Sequence, residues 1–156
     1  MIEEVPISLD MIRIANRKAL RMGVLNNSIT NGRGTSAGYI GEMITAQILD
    51  AESSNTYDYD LILNSGETVD VKTKRVTSPP KEYYSCSVAN FRKAQNCDYY
   101  AFTRVTRDLK RGWYLGKIKK EDFFNKATYH KRGDIDSSNN FTFSANCYNI
   151  PIKELK

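Results

Sequence analysis

Residues 57 to 74 constrain this chain more than any other stretch. Tyr57–Leu63 (YDYDLIL) and Thr68–Lys74 (TVDVKTK) are rich in β-forming residues and flank the turn sequence Asn64-Ser65-Gly66. Two such runs around a short glycine-bearing turn predict a β-hairpin. Alternation along the second run puts Asp70, Lys72 and Lys74 on one face and Val69, Val71 and Thr73 on the other. The valines can then enter a core while a carboxylate and two ammonium groups project together. In the first run Asp58, Asp60 and Ile62 share a face, opposite Tyr59, Leu61 and Leu63.

The turn decides what faces what. A two-residue turn at Ser65-Gly66 sets Asp60 opposite Val71, with the Asp60 and Asp70 carboxylates on different faces. A three-residue loop, with Gly66 in the left-handed position of a bulge, sets Asp60 directly opposite Asp70. Directly paired residues have Cβ atoms about 4.5–5.5 Å apart. Two carboxylates that close repel each other unless a cation lies between them.

The flanking sequence reads as α/β. Ile12, Ala15, Ala19 and Met22 fall at helical spacing within Leu9–Gly23, where Ser8 or Asp10 can cap the start. Arg13, Arg17 and Arg21 then form a stripe that is either a solvated face or a phosphate contact. Asn26–Gly38 reads as a polar loop, followed by a helix over Ala37–Asp50 with Ile40, Ile44 and Ile48 inward. Later strands are expected near Tyr83–Val88, Asp98–Val105, Trp113–Ile118 and Phe141–Ile152. A short helix is expected near Ala89–Ala94 and a one-turn helix from Lys120, with a polar loop over Tyr129–Asn140. No repeat or linker interrupts the pattern, so residues 1–156 read as one domain, a length that suits one buried core.

Composition removes several kinds of chemistry. The single histidine, His130, and three scattered cysteines, Cys86, Cys97 and Cys147, argue against a zinc cluster and a histidine-activated nucleophile. No apolar run is long enough to span a bilayer. Glu3 and Glu4 stand where a secretory signal would carry positive charge, so the expected location is the cytoplasm. The net charge of +5 hides an asymmetry, because residues 72–132 hold 16 Lys/Arg against 5 Asp/Glu. A basic stretch beside an acidic remainder suits a protein that grips phosphates and binds divalent cations, or else a lysine-rich solvated surface.

On chemistry, the carboxylates suit an oxygen-ligated Mg²⁺, and a lysine two residues from one of them lies on the same strand face. Such a lysine could orient the attacking water or stabilise charge on phosphorus. The bland alternative is an exposed hairpin face with weak Asp–Lys pairs. The ordered set of a helical Glu42, then Asp60 before Leu-Ile-Leu, then Val-Asp70-Val-Lys72, resembles the PD-(D/E)XK nuclease superfamily. The likeness runs from Ala37 to Lys74, and Tyr59 stands where the motif often has proline.

That resemblance implies a mixed central β-sheet flanked by helices, restriction-endonuclease-like. It implies a metal-dependent endodeoxyribonuclease with Glu42, Asp60 and Asp70 at the metal and Lys72 in catalysis. Mg²⁺ would be the cofactor, Mn²⁺ able to substitute, and DNA, double-stranded or branched, the partner. The superfamily includes restriction, homing, phage and junction-resolving enzymes, and cutting both strands implies a homodimer or larger. Gln95 is the position where some relatives carry a polar residue near the site. Two alternatives stay open: a non-catalytic nucleic-acid-binding module, and an RNA-cleaving enzyme. Tyr83, Tyr84, Tyr99, Tyr100 and Trp113 are either core or base-stacking residues, and Arg104, Arg107, Lys110 and Arg111 a basic turn suited to phosphate.

Overall fold

The computed structural model of the chain describes residues 2–22, 35–54, 56–90, 94–137 and 140–156. The first half contains β1 (Glu3–Pro6), α1 (Leu9–Met22), α2 (Thr35–Leu49), β2 (Glu52–Ser53), β3 (Leu61–Ile62) and β4 (Thr68–Val76). The second contains β5 (Ser85–Ala89), β6 (Tyr99–Thr106), β7 (Arg111–Lys119), α3 (Lys120–Lys126), β8 (Thr128–His130), β9 (Ile135–Asp136), β10 (Phe141–Thr142) and β11 (Cys147–Pro151). A 3-10 turn at Ile152–Glu154 ends the chain.

Six strands form one mixed sheet in the order β1-β7-β6-β4-β3-β2. Its central pair, β4 and β6, is parallel, and the other pairs are antiparallel. A parallel pair needs a crossover, and here β5 lies in it. One sheet face packs on α1 and α2 through Val69, Ala101 and Val105 against Ala15, Ile40 and Ile44. The other face, with Tyr100 and Phe102, packs on Phe123 of α3 and on Val88 and Ile150 of a second sheet, β5-β11-β8. The chain is therefore α/β with a mixed sheet, as expected. Helices cover one face; a second small sheet and the short α3 cover the other.

Local chemistry explains the main departures. Ser8 caps α1, its hydroxyl accepting the Met11 N–H at 3.1 Å, and Arg13, Arg17 and Arg21 lie on the exposed side. Met22, expected inward, is half exposed at the end of α1. The loop expected through Gly38 ends earlier, because α2 starts at Thr35; residues 23–34 lie outside the described ones. The expected strand at Tyr57–Leu63 shrinks to Leu61–Ile62. Its first half is instead a turn, in which the Thr56 hydroxyl accepts the Tyr59 N–H at 3.1 Å and competes with strand pairing.

The expected short helix near Ala89 falls largely on residues 91–93, outside the described ones, and Ala89 itself closes β5. The expected last strand is two, β10 hairpinned to β9 and β11 inserted between β5 and β8, so the expected loop at Tyr129–Asn140 contains part of β8 and all of β9. Strand β1, which pairs with β7, was not expected from its sequence. Tyr100 and Trp113 are core, 0% and 3% exposed, so stacking on bases is closed to them.

Candidate active site

The hairpin loop has three residues. Leu61 faces Val69 and Ile62 faces Thr68, while Gly66 takes φ +87° and the Leu63 N–H reaches the Glu67 carbonyl at 2.8 Å. Only a left-handed residue closes this loop, and glycine adopts that conformation without a Cβ penalty. The ladder then breaks. Asp60 donates its N–H to Val69, the residue that Leu61 already faces, so two residues of one strand share one partner.

That break opens the edge of β4 at Asp70. The Val71 N–H, which a longer β3 would have paired, donates instead to Oδ2 of Asp60 at 2.8 Å. One carboxylate oxygen thus replaces a strand. Asp58, two residues before Asp60, is spent elsewhere: its Oδ1 accepts the Asn96 N–H at 3.2 Å. Asp98 likewise holds the start of β4, accepting the Thr68 N–H at 2.8 Å.

Helix α2 delivers Glu42 from the other side, and Gly41 sets how close it comes. A Cβ on Gly41 would overlap Thr73 Oγ1 and Thr103 Oγ1 and lie 3.0 Å from Thr73 Cβ. The two hydroxyls are 2.8 Å apart and form the floor on which the helix rests. Burial, then the charge of neighbouring Asp60, push Glu42 up to about 8, with Lys18 opposing. Burial, then the Asp70 charge, raise Asp60 to about 6, against the pull of Val71 N–H and Lys72. Near neutrality Glu42 therefore favours its protonated form, which lessens its repulsion of Asp60.

On the sheet face, Asp70 is 5% exposed. The Lys72 ammonium lies 2.6 Å from its Oδ2, yet is not aligned as a hydrogen-bond donor, and that buried oxygen has no hydrogen-bond partner among the described residues. Gln95, 2% exposed, ties the pair together. Its Oε1 accepts from Lys72 Nζ at 3.2 Å, while its Nε2 donates to Asp70 Oδ1 at 3.3 Å and to the Tyr57 carbonyl at 3.2 Å. Lys120 in turn donates to the Gln95 carbonyl.

Asp70, Lys72 and Gln95 are thus in mutual contact, Asp60 is bonded to the β4 edge at Val71, and Glu42 lies close enough for the Asp60 and Asp70 charges to act on it. Gln95 was indicated only by likeness to other proteins; nothing in its surrounding sequence marks it. No family model matches the chain, and no curated protein matches it in sequence. The donors are all carboxylate oxygens, the kind a hard divalent cation takes, and Asp70 Oδ2 is a buried acceptor without a hydrogen bond. In kind, the residues fit Mg²⁺. As placed, no three His, Cys, Asp or Glu side chains among the described residues are arranged to hold an ion.

The cysteines offer no rival chemistry. All three are free and buried, and burial raises Cys86 to about 12 and Cys97 to about 11, so both thiols stay protonated.

Proposed function

We propose that the chain is a Mg²⁺-dependent endonuclease of PD-(D/E)XK type, restriction-endonuclease-like in fold, that hydrolyses phosphodiester bonds in DNA. The observation that carries this reading is the pair of carboxylates, Asp60 and Asp70, at an open strand edge, with the Lys72 ammonium 2.6 Å from one of them and Glu42 within their electrostatic reach. Buried carboxylates repel, and a fold keeps such a group together when a cation or a proton offsets the repulsion.

In this reading Asp60, Asp70 and Glu42 would hold Mg²⁺, which would supply Lewis-acid polarisation of the phosphate and neutralise its charge. Lys72, oriented by Gln95, is aimed at the charge that develops on phosphorus, or positions the attacking water. Asp60 also fixes the edge of β4 through Val71, so one side chain serves both strand and site. Cutting both strands of a duplex calls for two such sites, hence a homodimer or larger.

A second reading, a nucleic-acid-binding module without turnover, draws on the Lys72–Asp70 pair, which already neutralises one carboxylate. Plasmid DNA incubated with Mg²⁺ or Mn²⁺, with EDTA, and with the Asp70→Asn variant separates the two. Nicking that needs the metal and Asp70 is expected. Cleavage equal in EDTA, or none under any metal, would refute the nuclease reading. An RNA substrate run in parallel tests the choice of DNA.

A further inference from the structure

The sheet face that carries Asp70 and Lys72 continues beyond them. Strands β4 and β6 are in parallel register, so Lys72 lies beside Phe102 and Lys74 directly beside Arg104. Like charges set side by side across strands destabilise a sheet when nothing lies between them. Arg104 is only 6% exposed. Among the described residues neither it nor Lys74 forms an ion pair with a carboxylate. The Arg104 guanidinium donates to the Ser85 carbonyl at 2.9 Å and lies 5.2 Å from the Tyr84 ring centre. Partial burial, then the Arg104 charge, hold the Lys74 ammonium below its ordinary range. Two cations facing one space without an acid between them suit a bound anion.

That space is a cleft of about 640 Å³. Arg75 and Arg107 add positive charge to its wall, against one acid, Asp136. Its other side is aromatic. Tyr83 is 68% exposed and Phe141 51%, while His130 stacks on Phe143 with ring centres 4.2 Å apart. Part-exposed rings beside a cationic wall, even with one edge against a neighbouring ring, suit planar groups joined by phosphates. In a duplex the base faces are covered by one another, whereas in a single strand they are free to stack on aromatic side chains.

We propose that this cleft binds unpaired nucleotides, Lys74 and Arg104 taking a phosphate and Tyr83 and Phe141 the bases. Two residues along β4 is about 6.6 Å, so the Lys74–Arg104 pair lies a short step from Lys72. The bound strand is then the strand to be cut, and the substrate is DNA with a single-stranded portion, such as a flap, a frayed end or a branch. This last step rests on the nuclease reading; the affinity for unpaired nucleotides does not.

Fluorescence anisotropy in EDTA, at fixed salt, with labelled oligo-dT, oligo-rU and a blunt duplex, tests the cleft without turnover. Wild-type protein is expected to bind a single strand more tightly than the duplex. Tyr83→Ala and Phe141→Ala, both at exposed positions, should each weaken single-strand binding on the order of tenfold and leave duplex binding alone. Lys74→Gln should lower the slope of log K against log salt by about 0.7, the share of one phosphate on a single strand. Equal affinity for duplex and single strand, or aromatic variants that bind like wild type, would overturn the proposal. Binding that needs Tyr83 without metal-dependent cleavage would keep the cleft and remove the nuclease reading. Metal-dependent cleavage with unaffected aromatic variants would do the reverse.

Discussion

The Lys72 ammonium and the Asp70 carboxylate, two residues apart on one strand face, lie 2.6 Å from each other in a largely buried setting. Such closeness follows from the two-residue period of a strand, which stacks the side chains of residues i and i+2 on one side. Lys72→Met keeps the stem and removes the charge. Turnover is expected to fall on the order of 10²–10³, the usual loss for one group that acts on transition-state charge. Lys74→Met removes the same charge one pleat farther on, beside Arg104. Its loss should be smaller and should recover at low salt, because Lys74 serves binding. Cleavage rates at two salt concentrations check both; equal losses that low salt restores would place Lys72 in binding as well.

A second expectation concerns Gln95, whose amide holds Lys72 and Asp70 in one frame. Gln95→Leu keeps the volume roughly but leaves those groups without their partner. A buried polar group so stranded costs about 1–3 kcal/mol. The rate should drop about tenfold or more with substrate affinity unchanged, measured at a temperature where circular dichroism shows the variant folded. A change confined to affinity would remove Gln95 from the positioning of Lys72.

The site was legible in part, for physical reasons. Strand alternation fixes which side chains share a face, so Asp70 and Lys72 could be paired from spacing alone. Gly66 favoured the three-residue loop, and the observed register of Leu61 on Val69 agrees with it, but the bulge at Asp60 removes the direct Asp60–Asp70 pairing expected from that loop. Local hydrogen bonds were harder to foresee. Nothing in YDYD announces that Thr56 would turn the chain and confine the strand to Leu61–Ile62. Long-range register was out of reach: the Lys74–Arg104 pair and the place of Gln95 depend on how β6 docks on β4, some thirty residues later. Strand β1 is short and polar, with only Val5 buried, so periodicity had little to report.

The two raised carboxyls predict a pH dependence whose sign can be worked out. Burial and neighbouring charge raise Glu42 to about 8 and Asp60 to about 6, both above their ordinary values. A carboxyl raised by folding favours the folded state at low pH. That contribution is complete below the unfolded value and is lost as pH rises through the folded one. In EDTA the melting temperature should therefore fall from about pH 5 to pH 9, by an amount on the order of a few kcal/mol in stability. Glu42→Gln should flatten this fall. Mg²⁺ should restore stability mainly at the alkaline end, because it competes with the proton for the same oxygens. Thermal melts across pH, with and without Mg²⁺, read all three, and a melting temperature that rises with pH in EDTA would contradict the buried-carboxylate account.

The last prediction uses two glycines of the same helix. Gly38 and Gly41 both lie in α2, where glycine is a poor helix former. A Cβ at Gly38 meets nothing within 4 Å among the described residues, so Gly38→Ala should stabilise the protein by about 0.5–1 kcal/mol through the unfolded chain's lost freedom. A Cβ at Gly41 collides with the Thr73 and Thr103 hydroxyls. Neither threonine can retreat easily, because Thr103 is 1% exposed in β6 and their hydroxyls are bonded at 2.8 Å. The helix must lift instead, and overpacking of this kind costs about 1–3 kcal/mol. Lifting α2 also carries Glu42 away from Asp60, so Gly41→Ala should lose metal-dependent cleavage beyond what its fraction unfolded explains. Adding Thr73→Ala and Thr103→Ala removes both hydroxyls from beneath the helix. Each threonine change alone should destabilise, yet in the Gly41→Ala background the pair should recover stability and activity together, a coupling opposite in sign to additivity. Urea melts and cleavage rates on the single, double and triple variants measure it. Recovery of stability without activity would mean that Glu42 does not depend on how closely α2 approaches the sheet.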